Sequence, residues 1–477
     1  MSLLKRKEAQ ALLKDAQVEA STVRGCRQRL TVFLKRYLPW FYREEPREHA
    51  QLVLQGRLSH LERKTSEPVA LQAGVARRPI QWFVGAGKWD DEAVMAEVRR
   101  HAAEEFRDPE ATFVLDGSGF PKKGRESCGV QRQWCGRLGK LDNCQVGVFL
   151  ACVSEGRVAP LHRRLYLPRE WAKDRRRRRK CHVPPSVRFA EKWPIGLKLI
   201  EQSRDVPHGW IVADDEYGRV SEFRARLRKR RERYVLDVPC NTSVRVWESA
   251  APAAEQGSGR KKRRKKKKSR GRPRLPPWER VDAWAARQPA VRWQRIEVRA
   301  GEKGPLVVEV LHAPAETHGK SRERLVVIRT VEAVPKTHYC LSNAKENVPV
   351  EDIVWAHDDR HPIEAMFQLG NGEVGLDHYE VRSWVGWHHH MTLSLLGLWF
   401  LVLERQRVGE KTPAITVPQV RQIFSHLVQQ PPPTAEKIAA TITSVLQRNE
   451  EGRIYHWYAE TETFPPRRTR PCKTDSS

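Results

Sequence analysis

The chain has 477 residues, with 87 Lys or Arg against 58 Asp or Glu, and its formal net charge is +29. This length is too great for one hydrophobic core and predicts about three domains. A hydrophobic content of 39% with 16 Trp argues against wholesale disorder. The positive charge favours a polyanionic partner, with nucleic acid ahead of an anionic membrane surface.

Membrane insertion and secretion are not indicated by the sequence. The best apolar stretch, 391–403 (MTLSLLGLWFLVL), is shorter than the roughly 18 residues that a span requires and is typical of a buried core helix. Residues 1–15 are charged and amphipathic, unlike a signal peptide. We therefore expect no membrane partner and a cytoplasmic location.

The nine cysteines are scattered, odd in number and never spaced as C-x-x-C. This pattern favours neither a disulfide framework nor a zinc ribbon. Most of these cysteines are predicted to be small buried hydrophobic residues.

Residues 1–108 are predicted to form a helical domain. Leu30, Phe33, Leu34 and Leu38 recur at helical spacing, with basic residues such as Arg36 beside them. These basic residues fit either a solvated face or a DNA-binding surface, and the sequence leaves both interpretations open.

From residue 109 the pattern changes to strands, and residues 109–240 predict an α/β domain with a mixed sheet. The first strand ends on Asp116 and is followed by a Gly/Ser loop, while a later one ends on Asp214. The predicted strands are 112–116, 145–153, 164–167, 210–214 and 234–238, and the predicted helices are 191–204 and 221–233. The basic run 175–180 is predicted to be a loop, either solvated or in contact with phosphates.

Residues 241–350 predict a β-rich insertion, with strands at 291–298, 306–311, 324–331 and 337–341. Within it, 257–274 is of low complexity, and 12 of the 15 residues from 260 to 274 are Lys or Arg. Such a run repels itself and is predicted to be disordered.

The remaining chain predicts a return to the α/β domain and then a tail. Residues 351–425 contain a helix around Ile363 and Phe367 and the apolar stretch described above. Residues 426–477 contain Pro431, Pro432 and Pro433, a helix at 435–446 and a loose basic end.

Three acids are candidates for one site: Asp116 and Asp214 at strand ends, and Glu364 on a helix. Three carboxylates that meet would repel each other and resist ionisation. Mg²⁺ or Mn²⁺ relieves this repulsion, and two ions about 4 Å apart suit in-line phosphoryl transfer. The spacing alone is a weak signal, because 58 acids offer many such triples.

The residues around these acids carry a more specific signal, because they resemble the DDE transposases of bacterial insertion sequences. The resemblance extends from about residue 28 to 405 and implies an RNase H-like core with a β-rich insertion between the second Asp and the Glu. The matching stretches are LDGSGFPKKG (115–124), QRQWCGRLGKLDNCQVGV (131–148), RLYLPREW (164–171), VADDEYG (212–218), YVLDVP (234–239) and GLDHYEVRSWVGWHHHMTL (375–393).

The resemblance implies that Asp116, Asp214 and Glu364 are the catalytic metal ligands. Asp214 fits the second aspartate because Ala213 precedes it and Tyr217 and Gly218 follow; Asp215 is the adjacent alternative. The family's glutamate signature is Tyr, two residues, Arg, three residues, Glu, six residues, Lys. Arg360 and Glu364 fit that signature, but His357 replaces the Tyr and Asn371 replaces the Lys. The fallback candidates for the third acid are Glu373 and Glu380.

Other residues are candidates for contact with DNA. Lys122 and Lys123 follow the first acid, and Arg360, Tyr379 and Arg382 accompany the third. His388, His389 and His390 are adjacent on a predicted helix and therefore point in different directions, so packing or DNA contact is favoured over metal binding.

The resulting hypothesis is a DNA transposase that cuts transposon ends by metal-assisted hydrolysis and joins the 3′-hydroxyl to target DNA. It implies double-stranded DNA as partner, a homodimer in the synaptic complex, an association with the nucleoid, and two Mg²⁺ or Mn²⁺ ions as cofactor. A lapsed or domesticated DNA-binding relative is the first alternative, and an RNA-binding protein led by the basic run 260–274 is the second.

Overall fold

A computed structural model describes residues 3–247, 275–301, 304–319, 321–428 and 434–468. The predicted basic loop 257–274 and the prolines at 431–433 lie outside these residues. The chain forms two compact units. The first comprises Met1–Val212, Arg299–Leu306 and Asp358–Ser477, and the second comprises Ala213–Val298 and Val307–His357.

The amino-terminal part of the first unit is helical, as predicted. In α3 the residues at helical spacing, Leu30, Phe33 and Leu34, are buried. Asp90 caps α7, since its carboxylate accepts hydrogen bonds from the backbone N–H groups of Glu92 and Ala93. The helices are α1 (Lys7–Asp15), α2 (Ala20–Arg24), α3 (Cys26–Tyr37), α4 (Glu44–Leu58), α5 (Ser66–Ala73), α6 (Arg77–Gly85) and α7 (Asp91–Phe106).

A sheet follows in the first unit. Its strands are β1 (Thr112–Pro121), β2 (Gln131–Cys135), β3 (Lys140–Ser154), β4 (Arg157–Leu165) and β5 (Trp210–Ala213). They run in the order β2-β3-β1-β5, and β4 also pairs with β3. The pairs β1–β3, β2–β3 and β3–β4 are antiparallel. This arrangement, with helices α8 (Arg169–Lys173), α9 (Arg175–Lys180) and α10 (Lys192–Gln202) between β4 and β5, agrees with the predicted RNase H-like α/β core.

The predicted end of the first strand is wrong. β1 continues past Asp116 to Pro121, and its ladder with β3 is unbroken as far as the pair Pro121–Cys144. The glycines that indicated a loop are strand residues. Gly119 has a packing reason, because a Cβ there would lie 2.7 Å from the Cys135 sulfur.

Two further predictions in this region are wrong. The strand placed at 164–167 is β4, which ends at Leu165. The basic run at 175–180 is the short helix α9 and not a loop. Asp174 caps this helix by accepting a hydrogen bond from Arg177 N at 2.9 Å, and the Arg177 guanidinium lies 3.6 Å from the centre of the Trp171 ring.

The second unit is rich in strands, and the four strands predicted between 291 and 341 are present with small changes in their bounds. Its strand order is β6-β12-β11-β10-β7-β8, and β9 pairs with β10. Its core includes Trp284, Leu311 and Leu341. The elements are α11 (Asp215–Gly218), α12 (Ser221–Lys229), β6 (Tyr234–Asp237), β7 (Ser243–Val246), β8 (Glu279–Arg280), α13 (Val281–Ala286), β9 (Gln294–Ala300), β10 (Pro305–Thr317), β11 (Arg322–Thr330), β12 (Thr337–Ser342) and α14 (Val350–Asp358).

The chain then returns to the first unit with α15 (His361–Val374), α16 (Trp384–Gly409), α17 (Val417–Leu427) and α18 (Ala435–Thr461). The predicted core helix 391–403 is confirmed as the middle of α16, which packs against α4, α6, α7, α15, α17 and β4. Its residues are buried almost all round. Within the described ranges, none of the helices combines the length and apolar character that a bilayer crossing requires.

Candidate active site

Asp116 lies in the middle of β1 and is half-buried. Its Oδ1 accepts a hydrogen bond from Gly117 N at 2.6 Å. Phe149 of β3 is its partner across the antiparallel ladder, so the two side chains project from the same face of the sheet. The contacts of Phe149 therefore show which element covers the sheet face from which Asp116 projects.

The helix that carries Glu364 covers that same face. The Phe367 ring of α15 meets the Phe149 ring edge to face, with centroids 5.1 Å apart. Glu364 lies one helical turn before Phe367, in the first turn of α15. The buried residues of α15, which include Ile363 and Met366, hold the helix in place. The first unit thus brings the strand of Asp116 and the helix of Glu364 together.

Glu364 itself is accessible, with 53% of its side chain exposed, and its Oε1 lies 3.5 Å from Arg360 Nη2. Arg360 precedes α15 at its N-cap position. This ion pair joins Arg360 to Glu364, the two residues of the expected glutamate signature that are present in this sequence. Asn371, at the position where that signature has Lys, lies in the same helix and is half-buried.

Asp214 belongs to the second unit and follows directly on β5. It caps α11, since its Oδ1 accepts a hydrogen bond from Glu216 N at 3.1 Å. The motif after it has a structural reason: Tyr217 is buried, and a Cβ on Gly218 would lie 1.9 Å from the Asp237 backbone oxygen. The alternative acid, Asp215, is paired with Arg219 at 2.6 Å.

The surroundings of the two fallback candidates for the third acid, Glu373 and Glu380, differ from those of Glu364. Glu373 forms an ion pair with Arg421 at 2.8 Å, and Glu380 is exposed on the segment after α15. A half-buried acid that no sequence pattern indicated is Asp359, whose Oδ2 accepts a hydrogen bond from Thr112 Oγ1 at 2.6 Å. Burial raises the pKa of Asp359 to about 6.

Lys122 and Tyr379, both predicted to contact DNA, contact each other. Lys122 Nζ lies 3.3 Å from the centre of the Tyr379 ring and donates a hydrogen bond to the Tyr379 backbone oxygen at 3.1 Å. Burial lowers the pKa of Lys122 to about 8. Tyr379 is buried, and its hydroxyl donates to Gln145 Oε1 at 2.9 Å. Tyr379 is therefore suited to positioning Lys122 beneath the surface, and less suited to direct contact with a phosphate.

Lys123 and Arg382 are exposed. Arg382 lines a cleft of about 340 Å³ together with Arg57, Lys64 and Tyr379. Burial, together with the nearby Arg421 and Arg57 charges, lowers the pKa of Lys64 to about 8. This cleft is therefore lined by several basic groups beside the segment that follows the Glu364 helix.

The three adjacent histidines of α16 are buried and face three different neighbours. His389 stacks on Trp89 with centroids 3.8 Å apart, and burial lowers its pKa to about 4. His390 Nε2 bonds the Leu376 backbone oxygen at 3.0 Å, and His388 Nδ1 bonds that of Trp384 at 2.9 Å. Their role is packing, one of the two interpretations favoured above.

The sequence matches the family model of the DDE superfamily endonucleases over residues 36–305, which is more than half of the chain. The chain therefore belongs to this family. Asp116 and Asp214 lie within the matched residues, whereas Glu364 lies beyond them.

A curated relative has a more particular name. Over 195 residues the chain is 26% identical to a protein of Microchaete diplosiphon named "Probable transposase for insertion sequence element IS701". The match covers 40% of this chain and 48% of that relative, so the chain spans about half the length of the relative. A piggyBac transposase synaptic complex with hairpin DNA, solved by cryo-electron microscopy, has a TM-score of 0.39 and 9% sequence identity, over 93% of this chain and 85% of that one.

Proposed function

We propose that this protein is the DNA transposase of an insertion sequence, which cuts transposon ends by metal-assisted hydrolysis and joins the 3′-hydroxyl to target DNA. Membership of the DDE endonuclease family and the name of the curated relative support this proposal. The observation that carries it is the position of α15, because the contact between Phe367 and Phe149 puts the Glu364 helix over the sheet face from which Asp116 projects.

In this proposal Asp116, Asp214 and Glu364 hold two Mg²⁺ or Mn²⁺ ions. The donor set fits such ions, since carboxylate oxygens are hard ligands. When bound, the ions would stabilise charge on the entering and leaving oxygens of the phosphodiester. Arg360, beside Glu364, would hold that carboxylate in place. Lys123 and Arg382, which are exposed, would contact DNA phosphates, and the contact between Lys122 and Tyr379 would support this surface.

The proposed partner is double-stranded DNA, bound at the transposon ends and at the target. The net charge of +29 supports a large electrostatic contribution to this binding. The amino-terminal helices would recognise the end sequence, and a homodimer would bring two ends together in the synaptic complex.

The test is cleavage of DNA that carries the terminal sequences flanking this reading frame. We expect Asp116→Asn, Asp214→Asn and Glu364→Gln each to lower end cleavage in Mg²⁺ or Mn²⁺ by at least about a hundredfold, while end binding in a gel-shift assay persists. Asp215→Asn and Glu380→Gln are the matched controls and should retain cleavage. Cleavage that survives all three changes would overturn the site assignment.

The same assay addresses the main alternative, a lapsed relative that binds DNA without cutting it. His357 and Asn371, which stand where the family signature has Tyr and Lys, are the observations in its favour. A wild-type protein that binds ends specifically but leaves them intact in both metals would establish that alternative.

A further inference from the structure

Three potential metal ligands from separate parts of the chain meet within the second unit. They are Asp237 at the end of β6, Cys340 in β12 and His357 in the last turn of α14. One oxygen, one sulfur and one nitrogen from these residues all lie within 4.8 Å of one another. Asp237 and Cys340 are buried and His357 is largely buried.

The backbone fixes two of these ligands relative to each other. Cys340 and Asp237 are direct partners in the antiparallel pairing of β12 with β6, so their side chains share one face of the sheet. Their Sγ and Oδ1 atoms are 3.2 Å apart, and His357 Nε2 is 2.8 Å from the same Oδ1. Donor atoms on a tetrahedral zinc ion lie about 3.2–3.8 Å apart, given bonds of about 2.0–2.3 Å. Small side-chain shifts would therefore admit an ion.

A fourth ligand is available on the same strand. His338 precedes Cys340 by two residues in β12, so both side chains project from the same face. Its Nδ1 is 3.5 Å from Asp237 Oδ2, and its ring centroid is 5.2 Å from that of His357. The side chain of His338 is 41% exposed, which gives an ion a path from solvent.

We propose that Asp237, His338, Cys340 and His357 form a structural site for Zn²⁺. A thiolate and two imidazoles favour Zn²⁺ over Mg²⁺, whereas the carboxylates of the proposed catalytic site favour the opposite choice. On binding, the Cys340 thiol releases its proton to solvent, and the hydrogen bond between His357 and Asp237 is exchanged for bonds to the metal. The site joins β6 and β12 to the end of α14, and does not depend on the proposed transposase activity.

The experiment uses the full-length protein, stripped with a chelator and then titrated with Co²⁺. We expect a thiolate-to-cobalt charge-transfer band in the near ultraviolet, which carboxylate ligands do not produce, and about one Zn²⁺ per chain by mass spectrometry of the reconstituted protein. Cys340→Ser should abolish the band.

Two controls address the other thiols. Cys240→Ser changes an exposed cysteine of the same unit, and Cys128→Ser changes a thiol that shares a hydrogen bond with Cys181; both should leave the band intact. A band that is absent from the wild type, or that persists in Cys340→Ser, would overturn the proposal. If Cys340→Ser does not fold, His338→Gln at the exposed edge decides, because it should weaken Co²⁺ binding by at least about tenfold.

Discussion

At the scale of single residues, Asp359 shows how the fold changes the chemistry of one carboxyl group. It lies between α14 and α15, and Thr112 at the start of β1 donates to it. Burial raises its pKa to about 6 from an ordinary value of 3.8, although the Thr112 hydrogen bond acts in the opposite direction. Between these two values the folded chain retains a proton that the unfolded chain has released, so stability falls as the pH rises through this range.

Replacing this carboxyl with an amide should therefore stabilise the protein at neutral pH. Asp359→Asn is expected to raise the free energy of unfolding by about 1–3 kcal/mol above about pH 6, and the gain should vanish below about pH 4. Thermal or urea unfolding of both proteins above about pH 6 and below about pH 4 measures this difference in the free energy of unfolding. Glu346→Gln makes the same charge change at an exposed site and should have little effect. An equal gain at both pH values would show that titration of Asp359 is not the cause.

Clusters of residues that only the fold brings together could not be predicted from the sequence. Asp116, Asp214 and Glu364 could be proposed as a site because motifs surround each of them, not because their spacing is informative. The Asp237–Cys340–His357 cluster has no such motif: Asp237 and His357 are 120 residues apart, and only the pairing of β6 with β12 brings Cys340 opposite Asp237. Cysteine spacing argued only against a zinc ribbon, whereas the pairing of β6 with β12 provides a candidate zinc site.

At the scale of elements, an ion pair joins α3 to the buried helix α16. The Glu404 side chain is fully buried, directly after the apolar stretch of α16. Arg29 Nε of α3 donates to both of its oxygens, at 3.0 and 2.8 Å, and Arg407 Nη1 lies 3.0 Å from one of them. A buried carboxylate is tolerated only with such partners.

Removal of Arg29 should be costly for this reason. Arg29→Met is expected to lower the free energy of unfolding by about 3 kcal/mol, because Glu404 keeps only the partly exposed Arg407. The double variant Arg29→Met/Glu404→Gln should recover most of this loss. Arg24→Met is the control, since its pair with Glu436 is exposed and is worth less than about 1 kcal/mol. Denaturant unfolding that gave the same small loss for Arg29→Met and Arg24→Met would contradict the argument.

Elements with a strong local signal were predictable, and those set by packing were not. The apolar stretch within α16 and the alternating strands of the second unit follow from hydrophobic pattern. The end of β1 could not be predicted from this pattern, because Gly117 and Gly119 indicate a loop until the ladder with β3 is known. The helix at 175–180 did carry one local signal, the capping Asp174 before the arginines.

At the scale of the whole molecule, the positive charge has two parts that experiments can separate. Twelve of the 29 net positive charges are in the short segment 260–274, so 29 − 12 = 17 remain on the rest of the chain. The proposed catalytic residues and their supporting contacts all lie outside this segment. Charge in a short basic run contributes affinity for phosphates without reading sequence.

Deletion of residues 260–274 should therefore weaken binding to any DNA more than it weakens recognition of the transposon ends. Because log K falls with log salt by about 0.9 per phosphate contact, the deletion should make this slope shallower by several units. End cleavage at low salt should persist. A variant in which the twelve Lys and Arg residues are replaced by Gln keeps the length of the segment and should behave in the same way. If either change abolished end recognition at low salt, the basic run would itself be the recognition element, as expected of the RNA-binding alternative.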